Sequence, residues 1–91
     1  MLVYAVVRVG FGDEDIGGVF KPLVDAINAA DALANKLRGV SVKVLPYKLG
    51  AVTPVDDLGL LGPPEAVYEV FFEDSAAERL GKRQEALRGR A

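Results

Sequence analysis

The sequence predicts an α+β fold: a small, single-layer, mainly antiparallel sheet with two helices on one face, in the order β-β-α-β-β-α. Three features carry that expectation. Leu2–Val9 is almost wholly apolar and β-branched, a helical hydrophobic period begins at Leu23, and Val40–Val44 alternates like a strand. With 91 residues the chain fits a single domain, residues 1–91. A domain of that size buries about 60–65% of the surface its unfolded chain exposes.

Leu2–Val9 reads as a strand covered on both faces, because parallel or central strands lose the polar half of the alternation. Two glycines and three acids in Gly10–Asp15 break it with a turn. Ile16–Phe20 completes a hairpin, and Gly17-Gly18 marks a bulge or a close backbone approach. Pro22 suits the first turn of a helix, where its missing N–H would be unpaired anyway. Leu23, Ile27, Ala30, Leu33, Ala34 and Leu37 then form one apolar stripe, while Asp25, Asn28, Asp31, Asn35 and Lys36 lie outside it. Lys36 and Arg38 complement the carbonyl end of the helix dipole, and Gly39 stops it.

Val40–Val44 is predicted as a half-buried strand, with Pro46 ending its pairing or placing it at an edge. The Gly- and Pro-rich stretch 50–65 is a long loop, and loops of that length are commonly functional or disordered. Val67–Glu73 is a further strand. Ser75-Ala76-Ala77-Glu78 is a capping box that opens a last, basic helix over 75–91, with a thin apolar stripe of Ala77, Leu80 and Leu87. Gly81 in its middle weakens it by roughly 1 kcal/mol relative to Ala.

The composition narrows the chemistry. The chain has no Cys, His or Trp, which excludes a disulfide framework, thiolate or imidazole metal sites, and a Ser-His-Asp triad. No catalytic, cofactor-binding or metal-binding residue is predicted. The apolar run Met1–Val7 is too short to cross a bilayer and lacks the flanks of a signal peptide, so no membrane association and a cytoplasmic location are the expectation. Net charge is -2, but it is unevenly spread. Residues 1–74 carry six basic and eleven acidic side chains, and residues 75–91 carry five basic and two acidic. An acidic body argues against an extended nucleic-acid face, which needs a continuous basic surface.

The hydrophobic fraction of 51% exceeds what one helix-covered face requires. Val3, Ala5, Val7 and Val9, with Val40, Val42, Val44, Tyr68, Val70 and Phe72, suffice to meet the helices. The second face would then carry Leu2, Tyr4, Val6, Leu45, Tyr47, Val67 and Phe71, relieved by Arg8, Lys43, Glu69 and Glu73. A monomer does not normally expose such a patch. The expected interface is therefore Leu2, Tyr4, Val6, Tyr47, Val67 and Phe71, buried by self-association into a homo-oligomer or by another protein. The alternative is that the 50–65 loop and the last helix fold over it.

Other residues invite chemistry. Asp13-Glu14-Asp15, with Asp56-Asp57 or Glu73-Asp74, offers oxygen ligands for Mg2+ or Ca2+, without the spacing of a known motif. Gly10-Phe11-Gly12 lacks the third glycine of a dinucleotide loop. Tyr4, Tyr47 and Tyr68 are potential proton donors, though strand tyrosines usually serve cores and interfaces. Lys21 precedes the helix as a solvated cation. Arg79, Lys82, Arg83 and Arg90 share roughly one side of the last helix, suited to phosphate or an acidic partner, with Arg88 off that side.

Two stretches resemble known groups. Val3-Tyr4-Ala5-Val6-Val7, Ile16-Gly17-Gly18-Val19-Phe20 and the helix from Pro22 resemble the opening of small uncharacterised bacterial and phage proteins, which implies a hairpin–helix start and no assigned activity. Asp15 followed by Lys21-Pro22-Leu23-Val24-Asp25-Ala26-Ile27 resembles a segment of phage-type Holliday-junction resolvases. That family holds Mg2+ between paired aspartates and uses the lysine in phosphodiester cleavage. Gly17 and Gly18 stand where its second aspartate and its asparagine would be, and Asp56-Asp57 lies farther downstream than its pattern asks. Loss of one metal-positioning carboxylate removes a ligand on which such cleavage depends.

The function expected from the sequence is a non-enzymatic interaction or regulatory module that self-associates through its second sheet face. The alternatives are a nucleic-acid-associated protein, acting through the basic helix or as a degenerate resolvase-like nuclease, and a small-molecule sensor with the 50–65 loop as lid.

Overall fold

The computed structural model describes residues 2–10, 13–36, 39–49 and 65–89, and the side chains of all these except 13–15. The elements are β1 (Leu2–Gly10), β2 (Asp13–Phe20), α1 (Leu23–Ala34), β3 (Ser41–Lys48), β4 (Tyr68–Phe71) and α2 (Ala76–Arg88). The order is β-β-α-β-β-α, as the patterning predicts. All pairings are antiparallel, in the sheet order β2-β1-β3-β4.

The hairpin is longer than the sequence suggests, because β2 begins at Asp13 rather than Ile16 and pairs with β1 as far as Gly10. Val6 pairs with Gly18 and Val7 with Ile16, so Gly17 is the extra residue of a bulge. A Cβ at Gly17 would lie 3.1 Å from Leu33 Cδ2, which explains why this strand passes under α1 as glycine. At the far end of β1 a Cβ on Gly10 would run into Val40 Cγ1, a closer approach than any side chain permits.

Pro46 lies inside β3, paired with Tyr4 of β1. It is tolerated because β4 covers only Ser41–Val44, so at Pro46 the β4 side of the strand is an edge where no ladder N–H is required. Gly39, at φ 77°, makes the left-handed turn into β3.

α1 contacts all four strands and α2. Leu23, Ala26, Ile27, Ala30 and Ala34 are buried against Tyr4, Val6, Val42, Val44, Tyr68 and Val70, and Ala86 of α2 joins the same cluster. Four of the six stripe residues read from the sequence are buried, Leu33 is partly so, and Leu37 lies outside the described residues. At Ser75 the hydroxyl accepts the Glu78 N–H at 3.1 Å, the N-cap expected of the capping box. No helix among the described residues is long and apolar enough to cross a membrane.

Candidate functional site

Strand register decides which side chains meet the helices. Val6 stands opposite Val44 and Tyr4 opposite Pro46, while Val42 and Val44 stand opposite Val70 and Tyr68. Directly paired residues point to the same face, so even-numbered positions of β1, β3 and β4 face α1. Odd-numbered positions face away.

This corrects the expected interface at Tyr4, Val6 and Val67 and, by parity, at Leu2. Tyr4 and Val6 are buried in the helix-covered core, and their places on the open side are taken by Val3, Ala5, Val7 and Val9. The physical cause is the composition of β1, apolar at both parities, so that its alternation does not say which set turns toward the helix. Leu2 is exposed at the strand end and shares the parity of Tyr4. Val67 packs against the helix-side core, its N–H bonded to the Val44 carbonyl. Tyr47 and Phe71 are on the open side. Tyr47 flanks a second small core of Ala5, Val7 and Leu45. Phe71 lies at the β4 margin, with the Lys82 ammonium 5.4 Å from its ring centroid.

The open side forms a groove of about 820 Å³. Its floor is Val3, Ala5, Val7, Val9 and Leu45, and its walls include Ile16 and Val19 from β2 and Tyr47, Glu65 and Ala66 opposite. Ile16 is 70% exposed and Val19 58%. Lys43 lines the groove and faces Glu69 across the β3–β4 pair at 3.8 Å. Both are well solvated, and a pair of that kind contributes little to stability.

Helix α2 does not cover this groove: among the described elements it contacts only β4 and α1. Its expected stripe of Ala77, Leu80 and Leu87 is exposed, and Ala86 is the residue it buries. Polar bonds hold it instead. Arg83 Nη1 donates to Asp31 Oδ2 at 3.1 Å and to Asn28 Oδ1 at 2.9 Å, and Arg79 Nη1 donates to Asn35 Oδ1 at 2.6 Å. Arg79 Nη2 also donates to the Phe71 carbonyl at 2.9 Å, and Lys82 Nζ to Asp74 Oδ2 at 2.7 Å. Asp74 in turn accepts the Phe71 N–H at 3.0 Å. The cations on one side of the helix, read as a possible phosphate surface, are thus committed within the chain, and Arg90 lies outside the described residues.

The Tyr68 hydroxyl donates to Asp31 Oδ1 at 2.6 Å. Burial pushes this phenol well above its ordinary range, and the hydrogen bond to Asp31 and its negative charge act in the same direction, against a smaller pull from Arg83 and Arg79. Tyr68 is thus a buried hydroxyl that donates to Asp31. For Asp74, desolvation pushes the pKa upward, but the bonds from Lys82 and the Phe71 N–H, with the charges of Lys82 and Arg79, outweigh it and hold the carboxyl below its ordinary value. A smaller hollow of about 480 Å³ between β4 and α2 is lined by Tyr68, Glu69, Lys82 and Glu85 and belongs to this docking seam.

Among the described residues no three acidic side chains gather as a metal-binding group. Asp56-Asp57, the side chains of 13–15 and most of the proposed 50–65 lid lie outside the described residues. Lys21 is exposed at the end of β2. The chain matches no protein-family model, and comparisons with curated proteins and with solved structures return no match.

Proposed function

We propose that the chain is a non-enzymatic, cytoplasmic interaction module that self-associates through the open face of its sheet. The observation that carries this reading is the groove itself. A second apolar core of Ala5, Val7 and Leu45 continues outward into Val3, Val9 and Tyr47 with no helix above it among the described residues. Apolar surface of this extent gains roughly 25 cal/mol per Å² on removal from water, and a second copy supplies a matching surface at no further requirement on sequence. Lys43 and Glu69 lie side by side on this face, so a two-fold axis that runs along the strands between them sets each cation against the other copy's anion.

Sedimentation equilibrium on the intact chain tests the reading. The expected result is a concentration-dependent dimer that Tyr47→Lys shifts toward monomer without loss of helix signal. A monomer at high concentration overturns it.

A second reading rests on the volume of the same groove, which falls in the range of small-molecule sites. That reading requires thermal stabilisation by a ligand in a metabolite screen. Nucleic-acid binding through α2 has less support, because Arg79, Lys82 and Arg83 are engaged internally. It requires salt-sensitive binding of a labelled four-way DNA junction.

A further inference from the structure

The two edges of the sheet are finished differently. β4 is four residues long, α2 packs against it, Arg79 bonds the carbonyl of Phe71, and Asp74 takes up the Phe71 N–H. That edge is short, covered and charged, the usual protection against pairing with another chain. β2, at the opposite edge, is eight residues long, and among the described residues β1 is its one strand neighbour. α1 reaches it from the sheet face, and α2 does not contact it. Its second half, Ile16–Phe20, contains no charge and no proline, and Ile16 and Val19 are exposed.

We infer that the outer edge of β2 is a strand-pairing site whose partner is β2 of a second copy, running antiparallel. An edge strand presents alternate N–H and C=O groups outward, and a like strand satisfies them in a regular ladder. Charge chooses the direction and the partner. β2 opens on Asp13-Glu14-Asp15 and is followed by Lys21. A parallel neighbour would stack acid on acid, whereas an antiparallel copy sets the acidic end of each strand beside the Lys21 end of the other. The acidic run, which deters indiscriminate pairing, is thus compatible with this one arrangement.

The two-fold axis of such a pair stands normal to the sheet, so both open faces stay on one side. Ile16 and Val19, on the wall of each groove, come to the seam and join the two grooves into one apolar surface. The contact is separate from the face contact proposed above.

Nuclear Overhauser spectroscopy on a mixture of isotope-labelled and unlabelled wild-type chain, filtered for contacts between copies, tests the two separately. Contacts between the Ile16–Phe20 backbones of different copies are expected, with the outward-facing amides of β2 exchanging at least about tenfold more slowly at high than at low protein concentration. Contacts confined to Leu45 and Tyr47 would overturn the edge pairing and leave the face contact standing. Contacts confined to β2 would do the reverse, and a monomer overturns both. Lys21→Glu, an exposed position outside the groove, is expected to weaken the β2 contact on the order of tenfold, with salt reducing the difference. An unchanged contact overturns the antiparallel arrangement.

Discussion

The two faces of the sheet are made from the same kinds of residue and come to different ends. Tyr4, Val6, Val42, Val44 and Val70 are sealed under α1, whereas Val3, Val9, Ile16 and Val19 line an open groove. Neighbouring residues of one strand, Val6 and Val7, belong to opposite worlds. Hydrophobicity alone therefore does not assign burial. Register does, together with the helix that the chain has available to lay on each side. α2 is not the second cover: it is tied to the β4 margin by Arg79, Lys82 and Arg83, and moving it would strip those three cations of their partners.

The sharpest contrast between the faces is in what truncation does. Ile27 is fully buried against the sheet, and Ile27→Ala is expected to destabilise the chain by about 2–5 kcal/mol in urea unfolding. If that loss proved as small as the loss at an open-face residue, the helix-covered face would not be the main core. Arg83→Ala comes next, at about 1–3 kcal/mol, because it removes a bond to the Asp31 carboxylate and frees one flank of α2. Reduced amide protection confined to α2 would accompany it, leaving the β1–β3 ladder unchanged.

Much of this architecture is legible in the sequence, and the exceptions have physical reasons. The α1 stripe and the Ser75 cap follow from spacing and side-chain chemistry and are found where expected. Tyr4 and Val6 are misplaced by the same reasoning because β1 is apolar at both parities. Only its pairing with the cleanly alternating β3 resolves the ambiguity, through Val6 opposite Val44 and Arg8 opposite Val42. α2 docks through polar bonds rather than through its thin apolar stripe. A usable signal exists: Asn28, Asp31 and Asn35 form a polar stripe at helical spacing on α1, matching Arg79 and Arg83 one turn apart on α2. Polar complementarity between two helices is weaker in sequence than apolar periodicity, since the same residues would equally suit solvent.

Acid and alkali probe the α2 seam more gently. The raised Tyr68 pKa means that the folded state keeps its proton when the unfolded chain would release it, so stability is present below the ordinary tyrosine value of 10.0 and declines as pH rises past it. Tyr68→Phe is expected to flatten that alkaline decline in a pH series of thermal unfolding. The lowered Asp74 pKa has the opposite sense. Its contribution is present above the ordinary value of 3.8 and is lost as pH falls through the lower folded value, so wild type and Asp74→Asn should converge in strong acid. The smallest effect belongs to the open face: Val19→Ala is expected to change the stability of the dilute chain by no more than about 0.5 kcal/mol while weakening self-association.

The central claim, that the open face is buried by a second copy, is tested most directly by methyl relaxation with a neutral paramagnetic cosolute at low and high protein concentration. The Val44 methyls, sealed under α1, should be protected at both. The methyls of Val3, Val9 and Ile16 should be strongly relaxed in dilute solution and protected when the protein is concentrated. Equal relaxation of those three at both concentrations would contradict the account.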